Sequence, residues 1–237
     1  MNEVKAILFD FGGTLDNDGR EWSDRTYQHV CQKRGQVEQQ EFFRCLDRAY
    51  DKIGTLADTR QLSLLGTIER ICQHLKILLD ENGSEKGNSW DPTEVAGEFE
   101  AEARSYIERN RSLLEMLKQD YRLGVISNNW GNTEGWCRDY ALTDFFEVMV
   151  DSELVGSAKP DSKIFLVALE QMKLPASDCV YVGDRFDWDM EGAYQVGMKP
   201  VWLRGTPRQE CPNESILAGW IDKLSELPGL LNGAAAK

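Results

Sequence analysis

A chain of 237 residues, 41% of them hydrophobic, can bury a sizeable core and suits one large domain or a core plus a smaller one. Its net charge of −13, from 27 basic and 40 acidic residues, speaks against nucleic acid or anionic membrane surfaces as partners. No apolar run approaches the ~20 residues of a membrane span, the amino terminus lacks the pattern of a secretion signal, and the six cysteines (31, 45, 72, 137, 179 and 211) form no CxxC pair, so a cytoplasmic protein with reduced thiols is expected.

The first element is the short apolar run Ile7-Leu8-Phe9, which has the pattern of a strand buried on both faces of a parallel sheet. Its carboxyl end delivers Asp10 into the crevice where open α/β sheets bind ligands. Gly12-Gly13-Thr14 follow, and the paired glycines permit a tight turn with bare amides near a ligand. Alone, this pattern also fits a solvated aspartate opening an ordinary turn.

From Trp22 to about Arg109 the periodicity is helical. Tyr27, Val30 and Cys31 share one face, as do Phe42, Phe43, Leu46 and Tyr50, and Leu75, Leu78 and Leu79 continue the pattern. A polar, glycine-bearing loop is expected over 81–90. It ends at Asp91-Pro92-Thr93-Glu94, which carries the cap residue, first-turn proline and third-position acid of a helix start. From Arg111 onward strands and helices alternate, with strands predicted at Leu123–Ile126, Glu147–Val150, Val180–Val182 and Pro200–Leu203. Such alternation implies a doubly wound parallel sheet with helices on both faces. A short alanine run, 234–236, precedes the final Lys237.

Four segments stand at strand ends or beside them: FDFGGTL, with Asp10; VISNN, with Ser127 and Asn128; SAKPDSKIF, with Lys159; and VYVGDRFDWD, with Asp184, Asp187 and Asp189. In this order they resemble the signature motifs of the haloacid dehalogenase-like hydrolase superfamily, over residues 1–15 and 112–205. The resemblance implies an α/β, Rossmann-like catalytic core over 1–15 and 112–237. It also implies an inserted helical cap domain over 16–111 that closes over the active site. A purely structural helical subdomain is the alternative reading of that insert.

Carboxylates gathered at one sheet edge repel unless protonated or neutralised by a cation. Asp10, Asp184, Asp187 and Asp189 are expected to converge there, and oxygen ligands without His or Cys favour Mg²⁺. The resemblance implies Asp10, the backbone carbonyl of Gly12 and Asp184 as metal ligands, with Asp189 acting through water. The family pattern places its second acid at Asp189, and Asp187 reads rather as a helix N-cap or first-turn acid. Asp10 is the implied nucleophile, forming an aspartyl phosphate. The implied phosphate ligands are the Ser127 hydroxyl, the Asn128 and Gly13 backbone and the Lys159 ammonium.

One position departs from the family pattern. Its phosphatases usually carry an acid/base aspartate two residues after the nucleophile, where this chain has Gly12. Asp16 or Asp18 could substitute, as could water or the leaving group. His29 and His74 lie in the helical insert and read as packing or surface residues. Trp22, Trp130 and Trp136 are candidates to line the pocket mouth or to staple the insert to the core. Arg20 and Arg185 are candidates for a second anionic group of the substrate. The expected function is a Mg²⁺-dependent phosphatase, monomer or homodimer, acting on a small phosphorylated metabolite. The alternatives are a metal-independent 2-haloacid dehalogenase and a catalytically impaired descendant that binds a phosphometabolite or a protein.

Overall fold

The computed structural model describes residues 4–81, 89–205 and 210–233. In chain order it contains β1 (Ala6–Phe9), α1 (Trp22–Arg34), α2 (Gln39–Gly54), α3 (Leu64–Glu81) and α4 (Pro92–Asp120). Then follow β2 (Arg122–Ser127), α5 (Thr133–Asp139), β3 (Val148–Asp151), α6 (Ser152–Val155), α7 (Ser162–Met172) and β4 (Cys179–Gly183). The chain finishes with α8 (Glu191–Gln195), β5 (Lys199–Leu203), β6 (Gly219–Ile221) and α9 (Leu227–Leu231).

The six strands form one sheet in the order β3-β2-β1-β4-β5-β6, and every neighbouring pair is parallel. The four strands expected after Arg111 are all present, with ends moved by a residue or so. The edge strand β6 was not expected: Gly219-Trp220-Ile221 is too short to show a period. The sheet is apolar on both faces. Ala6, Leu8, Tyr181 and Trp202 face a cluster with Ile164, Phe165, Ala168 and Met172 of α7, while Phe9 meets Phe146 with ring centroids 6.5 Å apart. The order reverses between β1 and β4, because the chain first moves to β2 and β3 and then crosses back to the other side of β1. A crevice at the carboxyl ends of β1 and β4 is where such sheets bind ligands.

The contacts divide into two compact units, Met1–Glu21 with Ser105–Lys237, and Trp22–Arg104. In the second unit, α2 and α3 pack together; α2 buries Phe42, Cys45, Leu46, Ala49 and Ile53, and α3 buries Ile68, Ile71, Cys72, Leu75 and Leu79. Tyr27 of α1 stands edge-on to Phe42 at 4.9 Å between centroids. Glu38 caps α2, its carboxylate accepting from the Gln40 and Glu41 amides at 2.9 and 2.7 Å. The start of α4 has the expected cap, Asp91 Oδ1 accepting from the Thr93 amide at 2.9 Å. Most of the polar loop expected over 81–90 and the alanine tail lie outside the described residues; Glu81 closes α3, and Ser89 and Trp90 precede α4.

Candidate active site

Asp10 leaves β1 with its amide donating to the Val182 carbonyl at 2.9 Å, a ladder-like bond to β4. Its carboxylate therefore stands at the strand-order reversal, beside the residues that leave β4. There Asp184 and Asp189 join it, one carboxylate oxygen from each of the three lying within 4.8 Å of the others. Asp184 is the first residue after β4, and the Trp202 indole of β5 donates to its backbone carbonyl at 2.9 Å. Asp189 sits on a π-helical turn, Phe186–Met190, and the Arg185 amide donates to its Oδ2 at 3.0 Å.

One cation meets these acids. Lys159 Nζ lies 2.7 Å from Asp10 Oδ1 and 2.7 Å from Asp189 Oδ1. The exposures of Lys159, Asp10, Asp184 and Asp189 are 4%, 7%, 1% and 0%, so the charges have little water to screen them. Burial pushes Asp10 up to about 7, with Lys159 opposing and Asp189 adding to the shift. Burial and then the charges of Asp10 and Asp189 push Asp184 well above the carboxylate range. Burial works against the Lys159 charge, but Asp10 and Asp189 outweigh it and hold the ammonium above its ordinary value. Three buried carboxylates beside one ammonium are ionised together only if a further cation neutralises them. Their all-oxygen donor set suits a hard divalent cation. Asp10 and Asp184 are the members with an oxygen to offer it, since Asp189 is engaged at both oxygens.

The turn after Asp10 is built to let Asp184 in. Gly13 has φ +79°, and a Cβ there would lie 2.2 Å from Asp184 Oδ2. The Gly13 amide donates to Asp16 Oδ1 at 2.6 Å, so what Gly13 supplies here is space rather than a donor to a ligand. Thr14 Oγ1 donates to Asp184 Oδ1 at 3.4 Å. Gly12, whose carbonyl the resemblance assigns to a metal, is half-buried between Phe11 and Gly13.

Ser127 ends β2, in register with Asp151 of β3, and its hydroxyl bonds to none of the described residues. The Asn128 side chain holds the loop that carries Lys159. It accepts from the Lys159 amide at 2.7 Å and donates to the Lys159 carbonyl at 3.0 Å, clamping the backbone that carries the lysine. The loop beyond is tied by Asp151, which accepts from the Gly131 amide at 2.9 Å and from the Thr133 hydroxyl at 2.5 Å.

Several expected members are elsewhere. Asp187 does not join the carboxylate cluster: it is exposed and accepts from Arg185 Nε and Nη2 at 3.1 and 3.0 Å. Arg185 also donates to Glu21 at 2.7 Å and lies 4.2 Å over the Trp188 ring, so its charge is matched within the protein. Asp16 is buried, closing the turn on Gly13. Asp18 takes both prongs of Arg109 at 2.8 and 2.9 Å. Trp136 is a core residue, 1% exposed, with its ring 5.5 Å from Phe11. Trp130 is half-buried on the loop after β2, and Arg20 is half-buried ahead of α1. Trp22 belongs to the helical unit, edge-on to Phe99 at 5.3 Å. His29 lies beside Glu102 and Glu98, at 3.2 and 3.6 Å.

Tyr181, in the middle of β4, is a site residue that sequence reasoning overlooked. Its hydroxyl lies 3.0 Å from Lys159 Nζ and 3.2 Å from Asp189 Oδ1. The only available signal was a phenol in an otherwise aliphatic strand.

Comparison with known proteins gives the same motifs a wider setting. A stretch of 123 residues is 35% identical to the pyrimidine 5'-nucleotidase YjjG of Escherichia coli (strain K12), covering 51% of this chain and 54% of that protein. A stretch of 95 residues is 39% identical to the glyceraldehyde 3-phosphate phosphatase of Pyrococcus abyssi (strain GE5 / Orsay), covering 39% of each. The chain thus spans about half the length, or less, of these relatives. Among solved structures, the 2-haloacid dehalogenase of Pseudomonas syringae pv. Tomato DC3000 superposes with a TM-score of 0.53 at 23% identity, over 98% of this chain and all of that one, a likeness of fold alone. The sequence profile described as haloacid dehalogenase-like hydrolase matches residues 4–197. With a match across most of its length, the chain belongs to the haloacid dehalogenase-like hydrolase family.

Proposed function

We propose that this protein is a Mg²⁺-dependent phosphatase of small phosphorylated metabolites, working through an aspartyl phosphate on Asp10. One observation carries the reading: the Asp10 carboxylate stands in a buried cluster with Asp184, Asp189 and the Lys159 ammonium. The relatives named for phosphatase and nucleotidase activity support it.

In the proposed reaction the Asp10 carboxylate attacks phosphorus, and the bond from phosphorus to the leaving oxygen breaks. Lys159 holds Asp10 in place and faces the transferring group with positive charge, and the Ser127 hydroxyl donates to a phosphate oxygen. Water then attacks the phosphorus of the acyl phosphate, its bond to Asp10 breaks, and inorganic phosphate departs. Asp10, Asp184 and the Gly12 carbonyl would hold a divalent cation, with Asp189 beside them in the cluster, and the cation would supply charge neutralisation for phosphate and carboxylates alike. Gly12 offers no proton to the leaving oxygen, so solvent supplies it, and leaving groups that need little protonation are favoured. The helical unit Trp22–Arg104, inside the expected insert 16–111, is proposed as the segment that confers substrate selectivity, and in the other unit Trp130 is a candidate substrate contact.

The test is hydrolysis of p-nitrophenyl phosphate with Mg²⁺ and with chelator, by the wild type and by Asp10→Asn. Metal-dependent turnover that the Asn variant lacks supports the reading. Equal, negligible turnover by two folded proteins overturns it, and haloacids without metal are then the substrates to try.

A further inference from the structure

An ammonium has three N–H bonds and no lone pair, and Lys159 directs its three at three oxygens. Two belong to Asp10 and Asp189, at 2.7 Å each. The third is the phenol oxygen of Tyr181, at 3.0 Å. The Tyr181 ring has little freedom, being fully buried and held edge-on by Phe165 with centroids 5.1 Å apart. Its oxygen also lies 3.0 Å from the Ile126 carbonyl and 3.2 Å from Asp189 Oδ1. A phenol has one proton to give and lone pairs to accept with. It therefore accepts from Lys159 and donates toward the Ile126 carbonyl and Asp189, joining the end of β2, the lysine loop and the π-helical turn at one atom. Burial and the charges of Asp189 and Asp10 keep that proton on the oxygen.

We infer that Tyr181 is a positioning residue for Lys159: its hydroxyl fixes the third N–H, so that the ammonium stays seated between Asp10 and Asp189. The inference rests on the phosphatase reading for its kinetic consequence, though not for its geometry. A tyrosine serving only to fill the core would need its ring and not its oxygen. Tyr181→Phe separates the two, because it keeps the ring and removes the oxygen alone.

The experiment compares the wild type with Tyr181→Phe in two measurements. The first is the steady-state hydrolysis of p-nitrophenyl phosphate with Mg²⁺. The second is the ¹H–¹⁵N spectrum of lysine ammonium groups, with the Lys159 signal identified by its loss in Lys159→Arg. In a cooperatively folded Tyr181→Phe we expect kcat to fall roughly tenfold, with KM within about threefold of wild type. We also expect the protected Lys159 signal to broaden or vanish. A Lys159 signal unchanged in Tyr181→Phe overturns the inference whatever the kinetics, and so does a kcat within twofold of wild type alongside a lost signal. Should the wild type itself fail to turn over the ester, the phosphatase reading falls and the ammonium signal alone decides on Tyr181: loss supports the tether, persistence refutes it.

Discussion

Lys159 Nζ and Asp10 Oδ1 are 2.7 Å apart in a part of the protein where neither side chain has appreciable contact with water. The pair is drawn together from opposite directions. Asp10 arrives at the end of a central strand, whereas Lys159 arrives on a loop whose backbone the Asn128 side chain grips at both its amide and its carbonyl. Attraction at this depth is strong, but so is the cost of separating the partners, because whichever charge is left behind stays buried.

Replacing Lys159 with Met should therefore do more than slow the enzyme. Two carboxylates, Asp10 and Asp189, would face one another without their cation. Stability of the metal-free protein should fall by about 3–5 kcal/mol and turnover by at least ~10². Asp10→Asn in the same chain should restore part of the stability, with a coupling energy of about 1–3 kcal/mol in a double-mutant cycle. Strictly additive effects, measured by denaturant unfolding of the four proteins, would mean that the two groups do not interact.

Much of this arrangement was legible in the sequence, and what was not has a physical reason. The central strands announce themselves because both faces of the sheet are covered, so Ile7-Leu8-Phe9 and Val180-Tyr181-Val182 read as unbroken apolar runs. Asp10 follows the first run directly, and Asp184 follows the second after Gly183. The preference for Asp189 over Asp187 came from the family resemblance and not from spacing or composition, because both follow β4 closely and the π-helical turn is what carries Asp189 inward. The Asn128 clamp and the Tyr181 hydroxyl also escape sequence reading, since each joins residues 22 or more positions apart.

Gly13 is a test of space. A methyl group there would overlap the Asp184 carboxylate at 2.2 Å, on a backbone at φ +79° that a side chain disfavours. Gly13→Ala should displace Asp184 and abolish Mg²⁺-dependent turnover while the sheet still folds. Retention of more than a tenth of wild-type turnover would show that Asp184 has room to move without consequence.

Magnesium should stabilise the protein against heat, because a ligand that binds only the folded state adds RT ln(1 + [L]/Kd), about 2.7 kcal/mol at a hundredfold excess over Kd. The shift should be largely lost in Asp184→Asn, whose carboxylate is one of those within 4.8 Å of each other. It should persist in Asp187→Asn, whose carboxylate is paired with Arg185. Equal shifts in all three proteins would place the metal elsewhere.

The helical unit carries its own pH dependence. Burial raises the Glu102 pKa, but the bond from His29 and the Arg25 charge outweigh it and hold the carboxyl down at about 2. Arg25 is itself buried, its guanidinium 4.0 Å over the Phe99 ring and its Nε 3.2 Å from Glu102. Because the folded pKa is depressed, the stabilisation is present above the ordinary glutamate range near 4.5 and fades as pH falls toward 2. Glu102→Gln should therefore be less stable than wild type by about 1–2 kcal/mol at pH 6, solvent screening of this partly exposed carboxylate reducing the effect. The gap should narrow steadily below pH ~4.5, as read by denaturant midpoints taken in parallel. A gap independent of pH would mean that Glu102 contributes by packing and not by charge.

Asp187 and Asp189 offer the sharpest contrast, since they are two residues apart and chemically identical. Asp189 has both oxygens engaged, Oδ1 by Lys159 and Tyr181 and Oδ2 by the Arg185 amide. Its replacement by Asn exchanges a charged acceptor for an amide that presents two donors to these groups. Lys159 loses half of its negative surroundings, and the turn that begins at Arg185 loses its anchor. Turnover should drop by ~10² or more, with stability lower by about 2–4 kcal/mol. Asp187 is exposed and bonded to Arg185 at the surface, where ion pairs are worth under about 1 kcal/mol. Asp187→Asn should keep turnover within about twofold, because Arg185 retains Glu21 at 2.7 Å. Parallel kinetics on the two variants decide the matter: comparable losses in both would mean that Asp187 reaches the substrate or its metal.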